Sequence, residues 1–97
     1  MHNKTIVSQK FEFLGWYHLM RYDKARVQGD LDQYVLYDEQ ALSCLDRNDT
    51  NYLDFHFKLG QSYDSRFLRI HTMEDLEKST KVFQGVAAQT SADEPSY

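Results

Sequence analysis

The expected fold turns on Tyr52-Leu53-Asp54-Phe55-His56-Phe57-Lys58-Leu59. In an extended chain Leu53, Phe55, Phe57 and Leu59 face one way, and Tyr52, Asp54, His56 and Lys58 face the other. Such alternation predicts a half-buried β-strand. Gly60 to Ser65 then reads as a turn-rich loop and Arg66 to Thr72 as another strand. A hairpin symmetric about that loop sets Phe57 opposite Leu68 and Phe55 opposite Ile70. On the other side, the Arg47-Asn48-Asp49-Thr50 turn pairs Cys44 with Leu53 and Leu42 with Phe55. One register satisfies both hairpins, and a slip of one residue turns the apolar row into water. The expected centre is a three-stranded antiparallel meander over residues 41–72.

Helices are expected around it. Ser8 to Gln28 carries strand-like aromatic content, but Phe13, Trp16, Tyr17, Met20 and Val27 also fall at helical spacing. The end signals favour helix: Ser8 as a cap, Lys24 and Arg26 in the last turn, and Gly29 as a left-handed stop. Gly15 inside the run costs about 1 kcal/mol relative to alanine. In Gly29-Asp30-Leu31-Asp32-Gln33, Asp30 reads as an N-cap with Gln33 completing a capping box. This second helix buries Leu31, Tyr34 and Val35 and ends near Glu39 or Gln40. Thr72 caps a last helix, whose stripe is Met73, Leu76, Thr80, Phe83 and Ala87. Residues 90–97 are small and polar and read as a flexible tail. The expected fold is α+β in the order α-α-β-β-β-α, one domain over residues 1–89 with its helices on one face of the meander. No internal repeat and no second domain are expected.

Composition narrows the function. The 97 residues hold 11 Lys and Arg against 15 Asp and Glu, a net charge of −4. The balance lacks the cationic footprint that phosphate recognition needs, so nucleic acid is not an expected partner. The charge is uneven, running from +3 over residues 1–29 to −6 over residues 30–64 and −1 thereafter. An acidic surface of this kind suits a partner with a basic face. Its single cysteine, Cys44, cannot form an internal disulfide and is expected in the core; a reducing, cytoplasmic setting follows. No apolar run is long enough for a membrane span or export signal.

Motif-borne chemistry is sparse. In the meander, Ser43, Asp54 and His71 share a row, but a nucleophilic triad requires histidine between serine and carboxylate. The row reads instead as an Asp54–His71 cross-strand ion pair. His2, His18, His56 and His71 lack metal-ligand spacing, and Gly15, Gly29, Gly60 and Gly85 form no phosphate loop. Neither a metal nor a cofactor is expected. Tyr52, Asp54, His56, Lys58, Phe67, Arg69 and His71 would mix aromatic and charged groups on the outer sheet face, as interface centres do. Asp38, Glu39, Asp46, Asp49 and Asp64 supply the acids for a basic partner.

The run from Ala25 to Ala41, with its Gly29-Asp30-Leu31-Asp32 break, resembles the opening of NTF2-like cone-shaped domains. That resemblance implies helix–helix–strand order and a small-molecule pocket between sheet and helices, lined by Phe55, Phe57 and Trp16. The principal expectation is different: a non-enzymatic protein-binding module of the inhibitor or immunity type, with a homodimer as one form. The NTF2-like ligand-binding domain or small enzyme is the alternative.

Overall fold

The computed structural model describes residues 4–93, with side chains through residue 90, and none of the described residues is in a strand. The described residues fold as four helices: α1 (Lys4–Ala25), α2 (Gly29–Ser43), α3 (Tyr52–Ile70) and α4 (Met73–Asp93). The α+β expectation is therefore overturned. The meander over residues 41–72 is replaced by the end of α2, a loop and the whole of α3. The cone-shaped arrangement implied by the NTF2-like resemblance goes with it. The expected tail over 90–97 falls partly outside the described residues, and α4 runs through 90–93.

Alternation misled for a physical reason. A helix advances about 100° per residue, so Phe55 and Leu59 share one side while Leu53 and Phe57 share the opposite side. Phe55 is buried with Ala41 and Leu45, and Leu59 with Tyr34 and Val35 of α2. Across the helix, the Phe57 ring lies 5.4 Å from that of Phe83 in α4. A helix with partners on both sides carries apolar groups at i, i+2 and i+4, and the pattern imitates a strand.

Each helix packs on its neighbours in sequence, α1 on α2, α2 on α3 and α3 on α4. The result is a slab of 48 × 37 × 18 Å. Its radius of gyration is 14.4 Å, against about 12.5 Å for a compact domain of this length. The joint between α1 and α2 is made by small groups. Ser8 donates to the Ala41 carbonyl at 2.7 Å, and Gly15 lies against the Tyr34 carbonyl. Close approach through small residues explains why α1 lacks a single apolar face.

The two halves of the slab are versions of one helical hairpin. A shift of 45 (residue 15 to 60, 30 to 75) superposes Leu14 on Leu59, Gly15 on Gly60, Arg21 on Arg66, Asp30 on Asp75 and Leu31 on Leu76. The geometry repeats as well. Arg21 grips Asp30 through Nε at 2.8 Å and Nη2 at 2.7 Å, and Arg66 grips Asp75 through the same atoms at 2.8 and 2.7 Å. The left-handed residues are Arg26 (φ 56°) and His71 (φ 57°), one per hairpin at the same offset. An internal repeat, missed in the sequence, thus organises the fold in the manner of helical-repeat proteins.

The same geometry corrects two local expectations. Gly29 is not the left-handed stop, a role taken by Arg26. Asp30 is not an N-cap: α2 begins one residue earlier, and the carboxylate turns back to the end of α1.

Candidate functional site

Helices α1 and α3 lie side by side over α2, leaving an open groove of about 600 Å³ between them. Gln9, Glu12, Phe13 and Trp16 form one wall, Lys58 and Gln61 the other, and Tyr34 and Asp38 the floor. Phe13 is 64% exposed and Trp16 51%, with ring centroids 6.4 Å apart. Two large aromatic groups side by side in water are a costly surface for a lone small domain.

The polar groups of the groove are tied together. Lys58 donates to Glu12 across it at 2.9 Å and lies 3.3 Å from Asp54 one turn away. Burial alone would lower the Lys58 ammonium, but its hydrogen bonds to Glu12 and Asp54 prevail and hold it above its usual range. Ser62 donates to the buried Asp38. Burial pushes that carboxyl up to about 7, against the opposing pull of the Ser62 hydrogen bond. At one end of the groove Arg69 clasps Asp23 through two bonds of 2.7 Å. Asn51 donates to Thr5 at the other.

The expected site residues are thus redistributed. Lys58 and Asp38 meet in the groove, as the sequence did not foresee. Asp54 and His71, expected as an ion pair, lie near opposite ends of α3, roughly 25 Å apart at the helical rise. The row with Ser43 dissolves with them. His71 ends α3 as its left-handed cap and meets the Phe67 ring edge-on at 5.9 Å. His56 sits beside Tyr52 at 5.8 Å, and burial, aided by Arg47, lowers its basicity. Arg69 is committed to Asp23. Among the acids, Glu39 accepts from Tyr63 at 2.6 Å, Asp46 pairs with Lys4 at 3.0 Å, and Asp49 receives the Asn51 amide at 2.8 Å. Asp64 is half-buried on α3. These acids are dispersed over the fold and form no single acidic face.

The pocket implied by the NTF2-like resemblance is absent in the form expected. Phe55 is core, Phe57 points to α4, and Trp16 stands in the open groove. Cys44 is half-buried just beyond α2. Among the described residues no three His, Cys, Asp or Glu side chains converge as a metal would need, and His2 lies outside them. No helix of the described residues is long and apolar enough to cross a membrane.

Phe13 is a groove residue that the sequence reading missed, with Trp16 expected only in the lining of the NTF2-like pocket, not beside an exposed Phe13. They were legible as apolar positions of a helix, but nothing in their spacing says that the helix faces water on that side. Comparison with family models, curated proteins and solved structures finds no match.

Proposed function

We propose that the protein is a non-enzymatic binding module whose α1–α3 groove takes a segment of a partner protein. The observation that carries this reading is the exposed Phe13–Trp16 pair beside the Lys58–Glu12 ion pair. Aromatic anchors flanked by a polar rim are the recurring composition of interface centres. The groove's length along two helices suits an extended or helical peptide better than a compact small molecule. Its charged side chains are held in pairs, Lys58 with Glu12 and Asp38 with Ser62, which favours recognition over nucleophilic attack. An inhibitor or immunity-type role is the form of binding that the size and charge favour, and the basic-partner idea narrows to the acids of the groove, Glu12 and Asp38, with Asp54 beside Lys58.

The test is a displayed random-peptide library panned against the full chain, with the emission of Trp16, the single tryptophan, as the binding signal. Enriched peptides should shift that emission and lose at least tenfold in affinity on Phe13→Ala. Their binding should persist in Leu68→Ala, a substitution at an exposed position outside the groove lining. No enrichment, or peptides indifferent to Phe13→Ala, would overturn the reading.

A further inference from the structure

The repeat makes the contact between the hairpins a template. At that contact Asp32, Asp38 and Glu39 of α2 meet Arg66, Ser62 and Tyr63 of α3. Arg66 donates to Asp32 at 3.0 Å, Ser62 to Asp38 and Tyr63 to Glu39 at 2.6 Å. Leu59 closes the apolar part against Val35.

Each half of this contact exists a second time at an outer edge of the slab, although there His18 is already bonded to Asp30 and Phe83 already lies against Phe57. Subtracting 45 carries the α3 side onto α1, where Leu14, Tyr17, His18 and Arg21 replace Leu59, Ser62, Tyr63 and Arg66. Adding 45 carries the α2 side onto α4, where Glu77, Thr80, Phe83 and Gln84 replace Asp32, Val35, Asp38 and Glu39. Exposure follows the template. Leu59 is 7% exposed and Ser62 0%, while their counterparts Leu14 and Tyr17 are 40% and 45% exposed.

We infer that a second copy of this chain docks its α1 outer stripe on α4, repeating between molecules the α2–α3 contact within one. The pairs that this placement creates are chemically sound. Arg21 meets Glu77 as Arg66 meets Asp32, and His18 meets Gln84 as Tyr63 meets Glu39. Tyr17 meets Phe83, an aromatic pair in place of Ser62 with Asp38. Large groups on α1 face the small Thr80 and Ala87 on α4, which allows close approach. Charge disfavours α1 against α1, because Lys10, Arg21 and Lys24 line the α1 stripe and would repel their own copies, whereas α4 offers Glu77 to Arg21 even with Lys81 one turn away.

The contact is head-to-tail, so each bound copy offers a fresh edge to the next. This stripe of α1 borders the groove wall at Phe13, but Leu14, Tyr17, His18 and Arg21 lie outside the groove lining, so the contact does not depend on the groove being a binding site.

Sedimentation of the full chain over a hundredfold concentration range tests it. The expected result is an open series of dimers, trimers and longer species. Tyr17→Glu on α1 and Glu77→Lys on α4 should each halt growth and leave monomer. Mixed together, the two variants keep one intact edge each and should recover a one-to-one heterodimer and nothing larger. Circular dichroism of each variant checks that the helices persist. A wild-type chain that stays monomeric throughout, or a mixture that stays monomeric while the wild type associates, overturns the inference. So does Glu77→Lys associating like the wild type, which would place the contact on α1 alone.

Discussion

Arg21 and Arg66 perform the same act in the two hairpins, yet Arg21 is about half exposed and Arg66 mostly covered. The difference lies in what surrounds them. Arg66 grips its own hairpin's Asp75 and also reaches Asp32 of the other, so it ties the halves together. Arg21 shares Asp30 with His18, whose Nδ1 donates at 2.8 Å, and its outer side meets no helix. One clamp thus sits in the seam and the other at an edge. Repetition of a hairpin does not make its copies equal in energy: position in the stack decides how much water each identical contact sees.

Removing the clamps one at a time should give the largest effect. Asp75→Ala leaves the Arg66 guanidinium largely covered with Asp32 alone, and should cost about 3 kcal/mol in urea unfolding. Asp30→Ala should cost less, because Arg21 can turn to water. Equal losses would break the comparison. Acid weakens the Arg21 clamp. The Arg21 hydrogen bond holds the Asp30 carboxyl down to about 2, so its stabilisation is full above the ordinary carboxylate range. It is lost as pH falls from about 4 towards 2.

Asp38 is the next lever, because the second hairpin places Phe83 at the equivalent position. With its carboxyl raised to about 7 by burial, folded Asp38 holds a proton more tightly than the unfolded chain does. Its contribution is therefore most favourable below about pH 4 and declines as pH rises through 7. Asp38→Asn keeps an acceptor for Ser62 and removes the charge. Thermal unfolding should show a gain on the order of 2 kcal/mol at pH 8 and almost none at pH 4. A gain independent of pH would show that charge is not the cause.

The two glycines test packing. A Cβ at Gly15 would lie 3.0 Å from the Tyr34 carbonyl oxygen, and one at Gly60 would lie 2.7 Å from the Phe83 ring. Alanine at either position should cost about 1–2 kcal/mol despite its better helix propensity. The Gly60→Ala loss should shrink in combination with Phe83→Leu, since a side chain is the obstacle. Gly15→Ala meets backbone, and no truncation of a neighbour should rescue it. The smallest effect belongs to the left-handed residues: Arg26→Gly and His71→Gly should each stabilise by roughly 0.5–1 kcal/mol, measured as a raised Tm. A loss at one position only would show that its side chain matters more than its backbone.

Parts of this architecture could be read from the residues alone. The break at Gly29-Asp30 and the start near Thr72 marked two helices correctly, because acidic first turns and apolar stripes are local signals. The stretch from Tyr52 to Leu59 misled because its pattern records two partners, and a one-dimensional period cannot distinguish opposite faces of a helix from one face of a strand. Asp30 shows the same limit on a smaller scale. A helix-start aspartate reads as a cap until its arginine, nine residues earlier, is brought beside it by the turn. The groove was less legible still. Glu12 and Lys58 are 46 residues apart, and their meeting depends on how α1 and α3 both rest on α2. The repeat itself hid in few shared letters, since what it conserves is a glycine contact, an arginine–aspartate grip and one unusual backbone angle.

Backbone packing confined to successive helices also governs how the chain acquires its shape. The ion pairs from α1 to α3 span only about half its length, and α1 and α4 do not meet. Little loop entropy must be surrendered before a hairpin gains its own contacts, so folding should be fast, within the range of helical proteins of low contact order. Either hairpin can nucleate, and the α2–α3 seam forms once both are present. Amide protons should then exchange in a graded order, slowest in α2 and α3 and fastest in the outermost turns of α1 and α4.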